Sequence, residues 1–236
     1  MRFGEISFAY SNRPEIAILD KMTFDIDEGS FVSVIGPSGC GKTTIANIIA
    51  GYLTPDTGVV TVQGSLVNKP GRDRFIISQE DDLLEWMTLK DNIQFVTKRD
   101  PLRYLRLVRL EGHEDKYPSQ LSGGMKKRAA IARALAADAE YLMIDEAFES
   151  LDYQIKEQLY EELLQVWKRT NKTIILITHD IDEAIFLSDK IIVLTKAPSK
   201  VKAIIKVPFK RPRLKKIEYS HEFMGLRRTI RQMLDA

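Results

Sequence analysis

A single cysteine, short apolar runs and almost no net charge narrow the possibilities before any motif is considered. Cys40 alone cannot close an intramolecular disulfide or build a multi-cysteine metal site, so disulfide scaffolds and zinc modules are excluded. The longest apolar runs, FVSVI, YLMI and TIILI, fall far short of the ~20 residues that cross a bilayer as a helix. Any membrane role must therefore run through partners. The N-terminus, MRFGEISFAY, lacks the apolar core and small-residue cleavage site of a secretory signal, and a cytoplasmic protein is expected. A formal net charge of +2 is too small to argue for a nucleic-acid face, and no nucleic-acid partner is expected. Repeats and low-complexity segments are also missing.

What remains is an ordinary globular mixture, with 44% hydrophobic and 29% charged residues, and 236 residues suffice for a sizeable core. Short β-branched runs recur at residues 3–10, 31–35, 59–62, 74–78, 141–145, 173–178 and 190–195, with helix-like stretches between several of them, which predicts an α/β fold. FVSVI, YLMI and TIILI lack polar alternation, as parallel strands covered on both faces do. Residues 20–35 and 56–66 alternate more and carry DEG, PDTG and QG turns, so antiparallel ribbons along one edge are expected and the sheet should be mixed. Between about 85 and 137 leucine and arginine recur at helical spacing, which suggests an inserted helical lobe in one domain spanning 1–236. A short basic extension, about 196–236, closes the chain. Residues 195–217 carry nine Lys or Arg and no acid, compatible with a solvated edge hairpin before a packed helix or with attraction to anionic headgroups.

The sequence VSVIGPSGCGKTTIANIIAG places GxxxxGK[ST] directly after an apolar strand and at the start of a helix, the context in which that pattern cradles phosphate. Gly36, Gly39 and Gly41 let backbone N–H groups turn inward, the helix N-terminus adds positive partial charge, and Lys42 supplies a mobile ammonium. Thr43 can place its hydroxyl on Mg²⁺. YLMIDE is a buried strand ending in two acids whose side chains point to opposite sides, so they cannot share one task. Asp145 is the candidate for holding Mg²⁺ through its water shell, and Glu146 for polarising an attacking water. A third feature, LSGGMKKRAAIARAL, opens a helix at Ser122, Gly123 and Gly124. Taken alone it reads as an ordinary Ser cap; beside a complete phosphate cradle, its amides suggest a nucleotide held by another subunit.

Together these residues resemble the nucleotide-binding subunits of ABC transporters over nearly the whole chain. By that resemblance GPSGCGKTT is the Walker A loop, with Gly36, Pro37, Ser38, Gly39, Cys40, Gly41, Lys42, Thr43 and Thr44 around ATP. Gln79 is the Q-loop glutamine, touching Mg²⁺ and nucleotide; LSGGM is the signature and LMIDE the Walker B strand. SLD at 150–152 contributes Asp152 of the D-loop, and His179 in ITHD is the switch histidine, catalytic together with Glu146 and Lys42. Tyr10 stands where the family stacks an aromatic on adenine, although Ile6, Phe8 and Tyr10 share one strand face and could be core. Met125 replaces the commoner glutamine of LSGGQ, and DEAFESLD departs from DEPFGALD at Ala147, Glu149 and Ser150; neither change removes a phosphate contact or the base.

The resemblance implies a P-loop ABC-type fold that hydrolyses ATP as a homodimer with two shared ATP sites, driving integral membrane permease subunits from the cytoplasmic face of the inner membrane. Leu83, Leu84, Trp86 and Met87 would form a docking groove for the channel, or else pack in the core. LSGGM, QEDDLLEWMTLKDNI and the short basic C-terminus look most like the nitrate, sulfonate and taurine importer branch, with pyrimidine-precursor relatives. An extracytoplasmic substrate-binding protein is then an indirect partner. A non-transport ATPase of the iron–sulfur assembly type, and an exporter or lipid-release subunit, stay open.

Overall fold

A computed structural model describes residues 1–78, 83–149 and 153–235. In chain order its elements begin with β1 (Arg2–Ala9), β2 (Ala17–Asp25), β3 (Phe31–Ile35), α1 (Lys42–Ala50), β4 (Thr57–Val62), β5 (Ser65–Leu66) and β6 (Arg74–Ile77). They continue with α2 (Leu89–Gln94), α3 (Pro101–Leu107), α4 (Gly123–Ala136), β7 (Tyr141–Asp145) and α5 (Tyr153–Thr170). The last are β8 (Thr173–Thr178), α6 (Ile181–Leu187), β9 (Lys190–Leu194), β10 (Val201–Lys206) and α7 (His221–Asp235). Two compact units result, one of Met1–Gly71 with Thr173–Ala236 and one of Arg72–Lys172.

In the first unit, β2, β1, β4 and β5 form an antiparallel sheet in that order, and β10, β9, β3 and β8 lie side by side with β3 parallel to both neighbours. β10 closes the edge antiparallel to β9, so the α/β fold has the mixed sheet that its sequence predicts. Every residue of β3 and β8 is buried, which is why neither shows polar alternation. For the same reason 31–35 leaves the antiparallel ribbon expected over 20–35: five consecutive buried residues need cover on both faces, and β3 finds it among parallel neighbours. β10 alternates half-buried and exposed residues, the pattern of an edge strand with one solvated face. Phe223 and Ile230 of α7 are fully buried in one cluster with Ile181, Ala184 and Ile185 of α6.

The basic segment at 195–217 is not uniformly solvated. Arg213 is buried, and its Nη1 donates to the carbonyls of Ile185, Phe186 and Ser188 at 3.0, 2.9 and 2.7 Å. Burial, reinforced by neighbouring Arg211 and opposed by Asp189, pushes its pKa down to about 10.

The second unit pairs β6 parallel to β7 and carries α2 to α5. Each short helix begins on a side-chain cap: Thr88 accepts from Asp91 N for α2, Asp100 from Leu102 N for α3, and Ser122 from Met125 N for α4. α4 is held close to its neighbours by its small residues and its cations. A Cβ on Gly124 would meet Ile155 Cγ2 of α5 at 2.6 Å, and the Arg133 guanidinium lies 5.8 Å over the Phe75 ring of β6.

Candidate functional site

The loop between β3 and α1 is built around glycines. Gly39 and Gly41 take φ of +75° and +92°, where a side chain is strained. A Cβ on Gly36 would strike Cys40 Sγ at 2.6 Å and Leu194 Cβ at 3.0 Å, so the loop is drawn tightly against the end of β9. Unlike the starts of α2, α3, α4 and α6, the start of α1 has no side-chain cap: its N-cap is Gly41, and no acid sits in the first turn. Lys42 Nζ folds back across the loop to the carbonyls of Gly36 and Pro37 at 3.2 and 3.3 Å. Ser38 and Gly39 are exposed, Cys40 is buried with its thiol pKa raised by burial, and Thr43 faces outward from the first helical turn. A loop bent through left-handed glycines, a helix start with no side-chain cap and an ammonium held against the loop carbonyls suit a polyphosphate, so the residues fit the nucleotide.

Tyr10 lies just beyond β1 and outside the core, 40% exposed, while Ile6 and Phe8 are buried. Its ring meets Phe8 edge-on at 5.0 Å, and its hydroxyl sits 3.0 Å from Thr44 Oγ1. With Asn12, Arg13, Ile16 and Ile18 it lines an open pocket of about 380 Å³. That pocket adjoins the phosphate loop, because Ile18 Cγ2 is the atom a Cβ on Gly41 would meet, at 2.6 Å.

His179 leaves the sheet at the same edge as the loop. Ile35, the last residue of β3, pairs with Thr178, the last of β8, so Gly36 and His179 each take the next step. His179 is exposed, and Asp180 behind it caps α6 by accepting from Asp182 N and Glu183 N at 2.9 and 3.2 Å.

In the second unit Ile77 pairs with Ile144, which places Ser78 and Asp145 at one strand edge. Asp145 is buried, and Glu146 is half-buried with φ of +46°, a left-handed backbone that is uncommon for a residue with a side chain and that recurs at functional sites. Ser122 and Gly123 are exposed at the start of α4, while Gly124 is buried against α5. Lys127, one turn on, donates from Nζ to Ser78 O at 3.3 Å and so ties this helix to the end of β6. Gln79, Ser150 and Asp152 lie outside the described residues.

Beyond 83, Leu83 is buried and Trp86 is 73% exposed. The turn that presents Trp86 is fixed by buried Asn92: its Oδ1 accepts from Leu84 N at 2.8 Å, and its Nδ2 donates to Leu84, Met87 and Thr88 carbonyls at 3.1, 3.1 and 3.0 Å.

Ser199 is a supporting residue that motif reading does not reach. Fully buried, it donates from Oγ to the Cys40 carbonyl, its N–H donates to Ile18 O at 2.7 Å, and its carbonyl accepts from Asp20 N at 2.9 Å. It thereby joins the phosphate loop, β2 and the turn before β10. Nothing in a lone serine of a basic stretch signals this; only the burial does.

Comparison with known proteins gives a consistent result. A family model described as ABC transporter matches residues 19–149. The nitrate import ATP-binding protein NrtD of Synechococcus elongatus is 41% identical over 220 residues, covering 88% of this chain and 80% of that protein. The aliphatic sulfonates import ATP-binding protein SsuB of Bacillus cereus is 37% identical over 240 residues, covering 98% and 94%. Among solved structures, the dimeric post-hydrolysis state of an ATP-binding cassette bound to ADP and Pi superposes with a TM-score of 0.77 at 29% identity, covering 89% of this chain and 99% of that one.

Proposed function

The chain belongs to the ABC transporter family as an ATP-binding subunit that hydrolyses ATP to drive transport, and from that premise we propose that it powers import of a small oxyanion through separate permease subunits. The observation that supports this reading is chain-wide similarity to nitrate and sulfonate import subunits, which share an anionic, oxygen-rich solute. Among the described residues no helix is long and apolar enough to cross a membrane, so the path for the solute would belong to the permease. The subunit would then lie at the cytoplasmic face of the membrane, with the solute delivered by an extracytoplasmic binding protein. The whole of 1–236 would act as one cassette.

The roles of the residues follow from their chemistry. Lys42 and the uncapped amides of α1 would bind the β- and γ-phosphates, and Tyr10 would stack on the base over the pocket beside Ile18. Thr43, Gln79 and Asp145 would hold Mg²⁺, which neutralises phosphate charge when bound. Glu146 would orient the attacking water and His179 would hold the γ-phosphate side. Ser122, Gly123 and Gly124, with Asp152, would contact the nucleotide of a second copy, as head-to-tail pairing requires.

The test has two parts. Lys42→Ala should abolish productive ATP binding while the fold survives; near-normal affinity and turnover would remove the phosphate-loop assignment. The tagged chain should be recovered from membranes with an integral membrane protein, and nitrate or a sulfonate supplied with the binding protein should raise ATP turnover. Recovery with soluble assembly proteins alone would favour a non-transport ATPase instead.

A further inference from the structure

The C-terminal helix grips α6 in its first turn, at Asp182, three residues beyond His179. Arg227 of α7 holds Asp182 with both arms of its guanidinium: Nε reaches Oδ1, and Nη2 donates to Oδ2 at 2.7 Å. The guanidinium also lies 5.5 Å over the ring of Phe223, which is itself fully buried beside Ile181, Ala184 and Ile185 of α6. At the other end of α6, Arg213 serves the carbonyls of Ile185, Phe186 and Ser188, and Arg211 donates to Leu187 O and to Asp189 Oδ1, the latter at 2.9 Å. α6 has only seven residues, too few to hold a helix by its own hydrogen bonds. Where it sits is therefore decided by what clamps it.

His179 has little independence from that helix. On its N-terminal side, the Thr178 hydroxyl donates to the buried Glu183 carboxylate of α6 and accepts from Asp180 N at 3.0 Å. On its C-terminal side, Asp180 caps the helix. A shift of the first turn of α6 would move the backbone that carries the imidazole. We infer that Arg227 and Asp182 form a positioning pair that sets His179 for ATP hydrolysis, so that the C-terminal helix, outside the segment matched by the family model, controls turnover. This rests on the proposed role of His179 toward the γ-phosphate. The pair is 40% exposed on both sides, where an ion pair contributes little to global stability, but its two-armed geometry fixes orientation.

Three variants of the full chain test this: His179→Ala, Arg227→Ala and Asp182→Asn. His179→Ala should lose most turnover; if it turns over ATP normally, both the role of His179 and this inference fall. Given that loss, Arg227→Ala and Asp182→Asn should each lower kcat about tenfold with KM for ATP and melting temperature unchanged, because a misplacement of an ångström or less costs catalysis before it costs binding. The chain has three histidines, His113, His179 and His221, so the imidazole NMR signal missing in His179→Ala identifies itself. That signal should shift or broaden in both variants while the signal of His113 stays in place. Wild-type kcat with an unmoved His179 signal would overturn the inference. A parallel fall in kcat, ATP affinity and melting temperature in both variants would overturn it as well, since that is the mark of a merely structural pair.

Discussion

The hydroxyls of Tyr10 and Thr44 lie 3.0 Å apart, so the ring beside the open pocket is anchored to the first helix after the phosphate loop. The ring and the hydroxyl can be separated by mutation. Tyr10→Phe keeps the face offered to a base and loses only the tether, and its KM for ATP should stay within about threefold of wild type. Tyr10→Ala removes the face; base–aromatic stacking is worth ~1–3 kcal/mol, so affinity for ATP should fall by a factor of about 5 to 150. Equal effects of the two changes in a fluorescent-nucleotide titration would mean the hydroxyl tether, and not the ring, is what matters.

Trp86 offers a second separation. It is 73% exposed on a turn whose shape is kept by Asn92, so Trp86→Ser should leave the melting temperature unchanged. If this side chain anchors a permease helix, its loss should weaken association by about 2 kcal/mol, roughly thirtyfold, measured by co-purification from membranes. Asn92→Ala should instead lower both stability and association, because it strands the Leu84 amide and the carbonyls it serves. A drop in melting temperature for Trp86→Ser would assign the residue to packing.

Glu162 on α5 carries a pH prediction. Its side chain is buried, Oε1 lies 3.6 Å from Arg109 Nε, and Oε2 accepts no hydrogen bond among the described residues. Burial raises its pKa, the charges of Arg128 and Arg109 oppose that, and Glu111 and Glu161 add to it. A carboxyl with its folded pKa raised contributes stability below the ordinary glutamate range and loses it as pH rises through the folded value. Glu162→Gln should therefore raise the urea midpoint at neutral pH, with the gain shrinking as pH falls into the ordinary glutamate range. Arg109 is well solvated and loses little by the change. A less stable Gln variant at neutral pH would show that the arginine contacts outweigh the burial.

The motifs were legible because each is local: the glycines fall in one loop with Lys42 directly after it, and Asp145 ends one strand with Glu146 next in the chain. Strands β3, β7 and β8 were legible because full burial on both faces leaves no polar alternation to confuse them. Arg213, Ser199 and Arg227 were not, because each acts on residues far away in sequence. Ser199 bonds the Cys40 carbonyl and Arg227 bonds Asp182, and neither partner can be read from a stretch whose composition says only that it is basic. The left-handed backbone at Glu146 was hidden for a different reason. Nothing in glutamate favours it, and it reflects what surrounds the residue and not its type.

Glu146→Gln tests the proposed catalytic carboxylate and the proposed paired state together. The change preserves side-chain size and leaves the left-handed backbone of this position no less accommodated, so loss of fold is not expected. It removes the carboxylate proposed to polarise water, a role worth ~10²–10⁴ in rate, and ATP turnover should fall by that factor while binding persists. ATP that is bound but not consumed favours whichever state binds it best, so a closed pair with Ser122 and Gly124 on the partner's nucleotide should accumulate. Light scattering should then show an ATP-dependent dimer. Ser122 is exposed at the start of α4, so adding Ser122→Arg crowds that contact and leaves the core intact while giving up the α4 cap, worth about 1 kcal/mol, and it should return the protein to monomer with a fold that still melts cooperatively. Wild-type turnover in Glu146→Gln would dismiss the glutamate. Binding of ATP with no dimer, even when the permease is present, would dismiss the shared site.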